Sequence, residues 1–362
     1  MSAARGRRVL AWFREAGRPL PWRGPFPRDP YAVLVSEVMA QQTRVERVTA
    51  PYSRFMERFP SLEALAAAGV EEVLRAFSGL GYYRRARLLH EAARAIAAQG
   101  GWPASARELA GLPGFGPYTS AAVSAFALGG ETPPVDGNVA RVTARVLALP
   151  LELGSAALLR EGARLARELY ADVRTPEVWE ALMELGATVC TPAQPRCGAC
   201  PLAAGCAARR RGNQDAFPRP RPRRAREEHR WVAVWLQGAD GRVLLREVAR
   251  GRLLAGMWLP PIGELSDGAD ADDLARSLAA EAGFRGRLER ARAVRHSITH
   301  RDIRVLPFVA TLDARRVREP RDGWGWHDPR NPAVPASTLV AKLADACADA
   351  QRGLPFAPET EE

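Results

Sequence analysis

Leu112-Pro-Gly-Phe-Gly-Pro-Tyr-Thr-Ser-Ala121 reads as a tight turn that feeds a helix. Gly114 and Gly116 permit the turn, and Pro117 suits a first helical turn. Backbone N–H groups left open at such a helix start make an anion site that fits a phosphate. Many helix hairpins contain Gly-x-Gly and bind nothing, so the stretch alone predicts a helical pair and a candidate phosphate contact.

The surrounding chain agrees with a helical setting. Residues 1 to about 208 are alanine-rich amphipathic stretches broken by Gly and Pro, with little period-2 alternation. A length of 362 residues suggests two or three domains, and 47% hydrophobic with 26% charged residues excludes a disordered chain. No run approaches the length of a membrane-spanning helix, and Met1–Arg8 leads into no signal-like stretch, so a cytoplasmic protein is expected. Its net charge of +11 suggests a polyanionic partner. Lys342 is the only lysine, which leaves one candidate, near the C-terminus, for Schiff-base chemistry.

Arg209–Arg226 carries eight arginines against the single acid Asp215, with prolines at 218, 220 and 222. That composition predicts a linker over residues 209–228, too charged to pack and too Pro-rich for a helix. From His229 the pattern turns mixed. Trp231–Gln237 and Arg242–Arg246 read as strands paired around Asp240-Gly241, Asp272–Ala282 as a helix, and Ile303–Thr311 as another strand. The expected organisation is therefore an all-α region over 1–208, the linker, an α+β domain over 229–348, and a loose acidic tail over 349–362.

Three groups of residues could carry chemistry. Cys190, Cys197, Cys200 and Cys206 fall in a C-x6-C-x2-C-x5-C run, dense enough to imply a metal site holding either an iron–sulfur cluster or zinc. Glu37 is the only charge in Tyr31–Ala40, where burial would raise its pKa and suit it to act as a general acid. A Glu so placed otherwise reaches the surface or pairs with an arginine. Asp136 stands at a helix start in Val135-Asp-Gly-Asn138, a position for an N-cap.

The Leu112–Gly116 hairpin, the cysteine run, Ser36-Glu-Val-Met-Ala-Gln-Gln-Thr-Arg-Val-Glu-Arg-Val48, Val135–Val139, Leu20-Pro-Trp-Arg23 and Gly79-Leu-Gly-Tyr-Tyr83 occur in one order over residues 20–206. Together they resemble the adenine-specific branch of the helix-hairpin-helix base-excision DNA glycosylases. The resemblance implies an all-α glycosylase domain with a [4Fe–4S] cluster on the four cysteines, and duplex DNA containing A:8-oxoguanine or A:G mispairs as substrate. It implies that Glu37 protonates the adenine and then helps activate water, that Asp136 faces the cationic sugar, and that Asn138 orients Asp136. Arg23 would lie near the extruded adenine, Gln42 would fill the gap it leaves, Tyr82 would stack beside the lesion base, and Gly114 and Gly116 would hold a phosphate. Tyr118 stands where strand-cleaving relatives carry their Schiff-base lysine, so a monofunctional enzyme is implied.

The second domain resembles the Nudix-like lesion-recognition module of the same branch. Its would-be metal run keeps Arg276 and Glu281 but has Ser277 and Ala280 where glutamates are needed, so fold without hydrolysis is expected. Ile298-Thr299-His300 stands in place of the family's F-S-H triplet, and by that resemblance Thr299 and His300 would contact 8-oxoguanine. A monomer is expected, located at the bacterial nucleoid while on DNA, with a sliding clamp or other repair proteins left open as partners. Two rivals stay open: an endonuclease III-like glycosylase with lyase activity, and a non-catalytic iron–sulfur DNA-binding or redox protein.

Overall fold

A computed structural model of the chain describes residues 4–77, 80, 83–221, 225–249, 253–312, 323–332 and 334–351. It divides into two compact units, Met1–Pro222 and Arg223–Glu362. In the first unit every long element is helical, as the missing period-2 pattern predicts.

The helix Pro30–Ala40 has a start encoded locally, Asp29 before Pro30. Asp29 accepts a hydrogen bond from the Tyr31 N–H at 3.0 Å, and Pro30 occupies the first turn. Apolar on nearly every side, this helix is buried, with Val35 and Met39 wholly enclosed, and packs on helices Pro117–Ala127 and Arg84–Ala98. Helix Gly137–Leu147 packs against Glu177–Thr188 and Ala156–Val173. A Cβ on Gly186 would fall 2.5 Å from the Asn138 Cβ, so only glycine lets the first of these pairs approach so closely.

The expected linker is shorter than its composition suggests. Ala207–Arg211 is a helix closed by Gly212, and the three exposed arginines 209–211 point to solvent. Phe217 is buried with Ala140, Ala144 and Leu158. Residues 151–153 and Arg219 exchange two backbone hydrogen bonds of 2.9 Å, and the buried Arg145 guanidinium takes the carbonyls of Gln214 and Phe217, both at 3.0 Å. One aromatic anchor and one interior arginine thus dock a segment whose own charges face outward.

The second unit contains strands β1 (Glu227–Gly238), β2 (Val243–Glu247), β3 (Trp258–Leu259), β4 (Ile262–Glu264), β5 (Glu289–Arg290), β6 (Val294–Ile298), β7 (Arg301–Leu312) and β8 (Trp324–His327). Central β1 runs parallel to β7 from Glu227↔Arg301 to Gly238↔Leu312, and antiparallel to β4 and β2. Val232, Val234 and Leu236 face helix Ala271–Glu281, whereas Trp231, Ala233 and Trp235 face helix Thr338–Gln351. Both faces of β1 are covered, which explains its unbroken apolar run. The expected α+β character is present, and so are the β1–β2 pair, the Ala271–Glu281 helix and β7. Thr338–Gln351 extends into what was expected to be tail; residues 352–362 lie outside the described ones. Glu281 of the would-be metal run is ion-paired with Arg246, and Arg276 with Asp273.

Candidate active site

A cavity of about 690 Å³ opens in the first unit, and the residues around it come from distant parts of the chain. Glu37, Gln42, Gly114, Gly116, Tyr118, Asp136, Asn138 and Arg23 all line it. Tyr82 lies outside the described residues.

Glu37 projects from the buried Pro30–Ala40 helix into this space. Burial pushes its carboxyl up to about 7; Asp136 and Glu180 add to the rise, while a hydrogen bond with Tyr118 and the charge of Arg28 oppose it. Tyr118 sits one residue inside the helix that Gly116 and Pro117 begin, and its phenol is driven upward by burial and by Glu37. Gly114 takes a left-handed backbone (φ 75°), and a Cβ there would meet the Leu88 Cβ at 2.9 Å, so the turn needs glycine.

Asp136 caps helix Gly137–Leu147 and faces the same cavity. Its Oδ1 accepts from the Val139 N–H at 2.8 Å, and its Oδ2 from the Asn138 amide at 2.7 Å. Asn138 is oriented in turn, because its Oδ1 accepts from Arg141 Nη2 at 2.7 Å; Arg141 also donates to the carbonyls of Gly186 and Cys190. Burial raises the Asp136 pKa, and these donors together with the Arg141 charge pull it back. The carboxylate is thus both cap and cavity wall.

An acidic pair beneath the cavity escaped the sequence reading. Glu180 and Glu184 lie one turn apart on the largely apolar helix Glu177–Thr188 and are both buried. Arg23 bridges them, at 2.9 Å to Glu180 and 2.8 Å to Glu184. Arg28 joins Glu180 at 2.6 Å, and Arg18 joins Glu184 at 2.7 Å. Burial alone would raise Glu184, yet Arg18 and Arg23 hold it below the ordinary carboxylate range. Arg23 therefore lines the cavity with part of its donor fork already engaged by the glutamates. The signal was available: acids at i and i+4 inside Val178–Ala187 stand out for the same reason as Glu37.

The four clustered cysteines line a separate pocket, unbridged by disulfides, with Arg145 and Gln214 beside them. Arg145 Nη1 lies 3.5 Å from Cys190 Sγ, and Gln214 Nε2 lies 3.7 Å from Cys197 Sγ. Among the described residues no three metal-ligating side chains converge as they would around one ion. Four thiols on one pocket with no disulfide between them are a donor set that fits an iron–sulfur cluster or zinc.

Thr299 and His300 form the turn between β6 and β7 in the second unit. Thr299 is exposed with a left-handed backbone (φ 56°), and His300 Nε2 lies 3.2 Å from Glu227 Oε1. Among the described residues no helix is long and apolar enough to cross a membrane.

Residues 35–156 match the HhH-GPD superfamily of base excision DNA repair proteins. The matched HhH-GPD segment contains Glu37, the Gly114–Gly116 turn and Asp136. Over 216 residues the chain is 43% identical to human "Adenine DNA glycosylase", covering 57% of this chain and 40% of that protein. Over 196 residues it is 46% identical to the Mycolicibacterium smegmatis "Adenine DNA glycosylase", covering 54% of this chain and 66% of that one. The chain thus spans less than two thirds of the length of either curated relative. A solved thermostable thymine-DNA glycosylase superposes with a TM-score of 0.51 at 27% identity, over 57% of this chain and 95% of that one.

Proposed function

We propose that this chain is a monofunctional adenine DNA glycosylase, which hydrolyses the N-glycosidic bond of adenine mispaired with 8-oxoguanine or guanine. The observation that carries the reading is the pairing of Glu37, whose carboxyl is raised to about 7, with the capped and hydrogen-bonded Asp136 on one cavity. An extruded adenine enters the cavity; Glu37 gives it a proton, and the bond electrons leave with the base. Asp136 faces the positive sugar, whose carbon then takes the oxygen of water while the water proton returns to Glu37. Tyr118, in the position of the lyase lysine, has no amine to form a Schiff base.

Gly114, Gly116 and Gln42 would contact the DNA, Arg23 with its glutamates would floor the base pocket, and Thr299 and His300 of the Nudix-like domain would read the lesion strand. The test is a single-turnover assay on duplexes bearing adenine opposite 8-oxoguanine, guanine or thymine, with and without alkaline strand cleavage. Adenine release from the first two, strand breaks only after alkali and no borohydride-trapped adduct are expected. A strong adduct would revive the lyase rival, and no release from any duplex would favour a binding protein.

The four cysteines would hold a [4Fe–4S] cluster, which when bound contributes a fixed cationic core for their thiolates. Arg145 and Gln214 would donate to those sulfurs and tune them. Purified protein should then contain iron and acid-labile sulfide in equal amounts; zinc without sulfide would overturn the assignment.

A further inference from the structure

The Pro30–Ala40 helix ends against Arg85, a residue of the first turn of helix Arg84–Ala98. Arg85 Nη1 donates to the carbonyls of Val38 at 2.8 Å and Met39 at 3.1 Å, and makes a short contact to that of Gln41. Its Nη2 reaches Thr43 Oγ1 at 3.3 Å and the Leu80 carbonyl at 3.2 Å. One half-buried guanidinium therefore takes the open carbonyls of a helix end, the turn that follows it and a second segment, while lying 5.5 Å from the Phe77 ring centroid.

The turn it holds is an unusual one. Gln41 has φ −57° and ψ 124°, and Gln42 is left-handed (φ 54°), a conformation a non-glycine residue keeps only when its surroundings impose it. Thr43 is also tied, through Oγ1 to the Gln41 carbonyl at 3.2 Å, and the Gln41 amide reaches Thr119 Oγ1 at 3.2 Å. Gln42 is left on the cavity wall between these fastenings.

We propose that Arg85 is a positioning residue for base extrusion: it presets the Gln41–Gln42–Thr43 turn and ties it to Leu80, so that Gln42 meets the duplex already shaped for insertion. The inference rests on the glycosylase reading and deepens it. A lysine cannot replace the clamp, because one ammonium lacks the planar fork that spans two segments.

Extrusion is followed by the fluorescence of 2-aminopurine placed opposite 8-oxoguanine, alongside single-turnover adenine release, in wild type, Arg85→Lys, Gln42→Ala and the double variant. Arg85→Lys should slow extrusion about tenfold, and should add little once Gln42 is alanine. Should Arg85→Lys fail to fold, Thr43→Val removes one fastening with Arg85 in place and should slow extrusion in the same direction. Wild-type extrusion rates in Arg85→Lys, or losses that multiply with Gln42→Ala, would overturn the clamp. Wild-type protein that releases no adenine from any duplex would instead overturn the glycosylase reading itself.

Discussion

Asp136→Asn is expected to slow adenine release by about a thousandfold while duplex binding is retained. On the proposed mechanism the carboxylate faces the positive charge that develops as the sugar separates from the base, and a neutral amide of the same shape removes that attraction. The two uses of Asp136 can be separated on geometry. Oδ1 accepts from the Val139 N–H, which an asparagine carbonyl can still do, so the helix keeps its cap. Oδ2 accepts from the Asn138 amide, and an NH2 there would face another donor, because Arg141 fixes the orientation of Asn138. One hydrogen bond is lost, worth about 1 kcal/mol, which is small beside the effect on rate. Single-turnover rates, gel-shift affinity and melting curves on the same preparation test this. Near-normal cleavage by Asp136→Asn would remove the residue from the mechanism.

What the sequence made legible was what depends on near neighbours. The Gly-x-Gly turn before Pro117 and the Asp136 cap are each written within a few residues, and each forms as read. Glu37 stood out because a charge in an apolar helix has few inexpensive environments. Contacts that join distant segments left no such trace. Arg141 and Arg145 look like ordinary helical arginines until their carbonyl partners, 45 to 72 residues away, fold against them. Arg85 was invisible for the same reason. Residues 209–221 misled because net charge was read as solvation, when a single Phe217 and a buried guanidinium suffice to dock the backbone.

Glu37→Gln should reduce adenine release by about 10²- to 10⁴-fold, the range for a lost general acid, and should make the protein more stable at neutral pH. Both follow from one property. The folded carboxyl titrates at about 7, against an ordinary 4.5. Below 4.5 both folded and unfolded chains hold the proton, and Glu37 carries no penalty. As pH rises from 4.5 towards 7 the unfolded chain ionises while the folded one resists, and stability falls. At pH 7 the loss is about 3 kcal/mol, which glutamine, having no proton to lose, should recover. Melting curves of wild type and variant should therefore coincide near pH 4 and separate by pH 7, with the variant higher. The wild-type cleavage rate should be level in mild acid and fall about tenfold per unit once pH passes about 7, as the protonated acid is depleted. In Glu37→Gln that limb should vanish from whatever residual rate remains. A limb that persists unchanged in the variant would mean that another group delivers the proton, and a variant no more stable than wild type would mean that Glu37 is solvated after all.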